Sequence, residues 1–110
     1  MAIDGQWTLH YSWGCNGSYI QTGMTLNNNG TFSTSGLTGK WLQNAGMILF
    51  QFDSVKTTYG GNFNGNAMVG MMSTFGGLNG CWYAIRVGST VTDAEVSKPE
   101  FDAAGSKTKQ

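Results

Sequence analysis

The chain has 110 residues, room for one domain around one core, with 40% hydrophobic and 11% charged side chains and a formal net charge of zero. This excludes a charge-rich disordered polymer, because enough apolar surface exists to offset the entropy of ordering the chain. It also excludes attraction to nucleic acid or an anionic membrane through the overall field, and no apolar run approaches the roughly 18 residues of a membrane-inserted helix.

The distribution of charge says more than its sum. Before residue 89 the charged side chains are Asp4, Lys40, Asp53, Lys56 and Arg86; the last 22 residues hold the other seven. A body faced with Asn, Ser, Thr, Gln and Gly lacks the charges that usually protect exposed strand edges. Closing the sheet removes those edges, and so does burying them in a homo-oligomer. The start, Met1–Gly5, lacks the basic-then-apolar layout of a signal peptide, so the expected setting is cytoplasmic or that of a mature exported form.

Four Asn-Gly pairs punctuate the chain, at Asn16-Gly17, Asn29-Gly30, Asn64-Gly65 and Asn79-Gly80. Between alternating apolar residues such pairs predict hairpins with type I′ turns. Cutting there and at the other Gly/Asn clusters leaves eight strand-length segments: 6–13, 19–27, 31–35, 39–43, 47–53, 57–62, 67–73 and 81–87. The connections are short, which favours neighbouring antiparallel strands. The expected architecture is all-β: an eight-stranded antiparallel up-and-down barrel over residues 1–88 and a polar C-terminal tail over 89–110. Within that tail Thr92–Val96 has the composition of a single helical turn.

Period two then assigns faces. The inner face collects Trp7, Leu9, Tyr11 and Trp13 from the first segment, Ile20, Met24 and Leu26 from the second, and Phe32 and Trp41 from the next two. Ile48, Phe50, Phe52, Tyr59, Met68, Met72, Trp82 and Ala84 complete it. Gly61 and Gly70 fall inside strands, where glycine marks a bend or a close backbone approach. Tyr19, Tyr83, Ile85, Leu49 and Met71 are expected outside.

The first segment opens Gly5-Gln6-Trp7, and the last, Cys81-Trp82-Tyr83-Ala84-Ile85-Arg86, carries an arginine near its end. This resembles the calycin superfamily, which contains the lipocalins, fatty-acid-binding proteins and avidins. Thr58-Tyr59-Gly60-Gly61 and Gly39-Lys40-Trp41 are similar to stretches of avidin-like barrels. The resemblance implies that Arg86 packs across Trp7 and closes one end. Such a guanidinium gains from cation–π stacking and from nearby carbonyls.

Candidate chemistry is sparse. His10 alternates with Leu9 and Tyr11 and is expected on the surface, with too few partners for a metal site. Asp4 and Asp53 are the only carboxylates before the tail and are placed far apart around the barrel, which argues against an acid–base pair. No catalytic residues, cofactor or metal are expected. Cys15 follows the first strand and Cys81 begins the last, so a closed barrel brings them within reach of a disulfide; in a reducing compartment they would be two buried thiols. The expected function is therefore non-enzymatic: binding of a small hydrophobic or aromatic molecule at the barrel mouth or interior, lined by Tyr11, Trp13, Phe50, Met68 and Trp82. The alternative is a filled barrel whose outer surface binds a protein or glycan or forms a homo-oligomer.

Overall fold

A computed structural model describes residues 3–96. It contains eight strands: β1 (Gly5–Trp13), β2 (Ile20–Leu26), β3 (Thr31–Thr34), β4 (Leu37–Asn44), β5 (Met47–Phe52), β6 (Thr58–Asn64), β7 (Ala67–Ser73) and β8 (Asn79–Arg86). Each pairs antiparallel with its sequence neighbour, and β8 pairs with β1, so the sheet closes as an up-and-down barrel. The expected segments all form strands, with ends displaced by at most two residues.

The turns differ from the expectation. At Asn16-Gly17, Asn29-Gly30 and Asn64-Gly65 only the glycine has positive φ, whereas a type I′ turn needs it at both central residues. Asn79-Gly80 is not a turn at all but the start of β8. The chain reverses earlier, in a loop closed by the Thr74 N–H donating to the Leu78 carbonyl at 3.0 Å. Gly80 serves close packing instead: a Cβ there would collide with the Met72 side chain and the Ser12 backbone.

The core follows the inner-face pattern. Trp7, Leu9, Met24, Leu26, Phe32, Ile48, Phe50, Phe52, Tyr59, Met68, Met72, Trp82 and Ala84 are buried together, with Tyr11, Trp13 and Trp41 packed against them. Ile20 is the exception at 56% exposed, because it occupies the first position of β2, beyond the packed layers. Ile3 and Phe63 join the core from outside the assigned segments. Gly61 and Gly70 face each other in the β6–β7 register, and a Cβ on either would strike the opposite backbone. This close approach lies beside Trp82, whose indole N–H donates to the carbonyls of Gly60 and Met71 at 3.2 and 3.1 Å.

One end of the barrel is sealed. Trp7 and Arg86 are register partners, and the guanidinium carbon lies 4.4 Å from the indole centroid. Arg86 donates to the Asp4 carbonyl at 3.0 Å and to Asn66 Oδ1 at 3.1 Å, while the Trp7 N–H donates to the Ile3 carbonyl at 3.0 Å. The Phe63 ring meets Trp7 edge-on.

Val91, Thr92 and Asp93 lie beside the outward-facing Thr8, His10 and Ile85 of β1 and β8, and Val96 is buried. A single 3-10 turn, Asp93–Glu95, forms where a helical turn was expected, and the Thr92 N–H donates to Glu95 Oε1 at 2.8 Å. Positions 97–110 of the expected tail lie outside the described residues.

Candidate binding site at the barrel mouth

In a meander barrel the odd strands end where the even strands begin, so the ends of β1, β3 and β5 and the starts of β2, β4 and β6 form one rim. At this rim three inner-face positions carry short side chains: Thr22, Thr34 and Thr57. The opposite end fills the equivalent layers with Trp7, Phe63 and Trp41. The result is a cavity of about 290 Å³ open to solvent. Tyr11, Trp13, Phe52 and Tyr59 form its aromatic wall, and Leu9, Leu37 and Val55 its aliphatic one. Thr22, Thr34, Ser35 and Thr57 add hydroxyls.

Of the five residues expected to line a pocket, Tyr11 and Trp13 do so. Phe50, Met68 and Trp82 do not: they lie beneath it in the packed interior, each no more than 1% exposed. Phe50 stacks on Tyr59 at 4.7 Å and meets Phe32 and Trp82 edge-on, so this aromatic cluster fills the middle of the barrel and forms the cavity floor. The additional lining residues were readable in principle. Thr22, Thr34, Leu37 and Thr57 share strand parity with Met24, Phe32, Gly39 and Tyr59, so carrying the alternation outward reaches them. The short side chains among them, Thr22, Thr34 and Thr57, are what leave the space.

Burial raises the Tyr59 pKa well above the ordinary tyrosine value near 10, and the neighbouring Tyr11 phenol adds to the shift. Tyr59 therefore presents a protonated phenol throughout the physiological range. The charged groups nearest in sequence point elsewhere or into solvent: Asp53 pairs with Lys40 at 3.0 Å and Lys56 is exposed.

The β1–β2 loop leaves the mouth clear because it folds over the outside of the barrel. Cys15 and Cys81 form a disulfide with their Cα atoms 5.1 Å apart. Ser12 donates to Asn16 Oδ1 at 3.1 Å and fixes the same loop. Cys15 itself has positive φ, a conformation that the cross-link holds in place.

His10 faces outward as expected but is only 7% exposed. Its register partner is Tyr83, on which it stacks at 4.2 Å with planes 3° apart, and Asp93 approaches its Nε2 at 4.0 Å. Tyr83, expected outside and exposed, is buried on that outer face for the same reason, and Tyr19 packs edge-on against it. Tyr19 and Ile85 are half-buried, whereas Leu49 and Met71 are exposed. Among the described residues, no three His, Cys, Asp or Glu side chains gather in a way that would hold a metal ion. Asp4 lies at the sealed end and Asp53 at the mouth. In comparisons with known proteins, no family model, no curated protein and no solved structure matches this chain.

Proposed function

We propose that the protein is a small-molecule binder of lipocalin-like design, taking an apolar or aromatic molecule at its open end without chemical conversion. The observation that carries this reading is the asymmetry of the barrel. One end is sealed by Trp7 and Arg86, and the other keeps a cavity walled by Tyr11, Trp13, Phe52 and Tyr59. Ligand sites are commonly concave and mainly apolar, with a few convergent polar groups, and a volume of about 290 Å³ lies at their small end. Short-strand closure, the Gly-x-Trp opening and the Trp7–Arg86 pairing support kinship with calycins. Native mass spectrometry of the purified protein tests the reading through co-purified mass, followed by tryptophan-fluorescence titration with an apolar probe. Saturable quenching is expected, weakened by Trp13→Ala.

A second reading rests on the opposite surface. Leu42, Leu49, Gly60 and Met71 are successive register partners across β4–β7, giving an outer strip with three exposed apolar side chains. Such a strip suits association with a second copy. Concentration-dependent sedimentation abolished by Leu49→Glu would favour this reading.

A further inference from the structure

We infer that the mouth selects uncharged aromatic molecules bearing a hydrogen-bonding group, and discriminates against carboxylates and amines of the same shape. This rests on the binding reading above and adds a ligand class to it.

The described lining of the cavity offers no charge to a charged ligand. Among the described residues, no Lys, Arg, His, Asp or Glu lines the cavity. Asp53, the acid nearest the rim, is already neutralised by Lys40 at 3.0 Å, and Lys56, between the lining residues Val55 and Thr57, is exposed to solvent and is not part of the lining. Arg86 is committed to Trp7, Asp4 and Asn66 at the sealed end. An ion entering between Tyr11, Trp13 and Phe52 would lose hydration without gaining a counter-charge, and that loss is far larger than for a neutral polar group.

A neutral hydroxyl or carbonyl meets a different environment. The threonine and serine hydroxyls and the tyrosine phenols each donate and accept. Tyr59 stays protonated because burial disfavours its phenolate, so it does not repel a ligand acceptor. The aromatic wall favours a flat ring offset-stacked or edge-on. At about 30 Å³ for each water-sized group, the cavity holds roughly ten such groups, the scale of a fused two-ring molecule.

The test uses four probes of one shape: naphthalene, naphthol, naphthoate and naphthylmethylammonium, each titrated calorimetrically into the intact protein near neutral pH. Naphthol is expected to bind most tightly, and both ions at least about tenfold more weakly, a difference of about 1.4 kcal/mol. Leu37→Lys, which places a cation on the cavity lining itself, is expected to narrow the naphthol-to-naphthoate ratio. Equal affinities for the neutral and charged probes, or a preference for either ion, would overturn the inference while leaving the site a binder. Failure of all four probes to bind would overturn both the inference and the reading beneath it.

Discussion

Trp7 and Arg86 face each other across the seam between the first and last strands, the guanidinium 4.4 Å above the indole and its hydrogen bonds directed to Asp4 and Asn66. One side chain thus joins the start of β1, the β6–β7 turn and the end of β8. Arg86→Met keeps much of the packing but removes stacking and hydrogen bonds, and is expected to cost about 1–3 kcal/mol in urea unfolding. Arg86→Lys should recover little of this, since an ammonium cannot reproduce the planar, multiply donating fork.

The Cys15–Cys81 bond spans 66 residues of sequence. By the chain-entropy relation a loop of that length stabilises the folded state by about 4 kcal/mol. The double Cys→Ser variant is therefore expected to show a much lower Tm than the wild type. The same drop should follow reduction of the wild type with dithiothreitol, and dithiothreitol should leave the variant unchanged.

The Gly61–Gly70 approach separates glycines that are required from those that are incidental. Gly70→Ala forces a Cβ into the Gly60 and Gly61 backbone and should destabilise by about 1–3 kcal/mol. Gly23→Ala meets no atom within 4 Å and leaves φ unstrained, so it should be neutral or slightly stabilising. Paired thermal melts of the two variants provide the comparison.

Tyr59 and Tyr83 both have raised pKa values. Burial is the leading cause in each, with Tyr11 adding at Tyr59, and Asp93 and Tyr19 adding at Tyr83. The unfolded chain loses these protons near pH 10, before the folded protein does. Their contribution to stability is therefore fully present below pH 10 and is lost as pH rises beyond it. In an alkaline titration followed by phenolate absorbance, these two phenols should ionise together with unfolding. Tyr59→Phe and Tyr83→Phe should each soften that alkaline loss.

Much of this structure was legible in the sequence because its signals are local and periodic. Alternation places Trp7, Leu9, Phe50 and Trp82 inside without reference to the rest of the fold, and closure follows from the shortage of protective charge. What was not legible depends on three dimensions. Whether Asn79-Gly80 turns or pairs is decided by the neighbouring strands: Met72 and Ser73 of β7 and Trp13 of β1 take the pair into the ladder. His10 and Tyr83 are outward by parity yet buried, because they stack on each other while Asp93 approaches His10 and Tyr19 packs on Tyr83. The site was half legible: Tyr11 and Trp13 stand at the rim, whereas Phe50, Met68 and Trp82 are floor and core. Nothing in their type distinguishes a residue facing a cavity from one facing another ring.

The proposed binding surface is the open end of the barrel, and the outer strip is its rival. A backbone-amide NMR titration with naphthol separates the two. Saturable shifts are expected at Tyr11, Trp13, Thr34–Leu37 and Val55–Thr57. Shifts centred instead on Leu42, Leu49 and Met71, or none anywhere, would contradict the proposal.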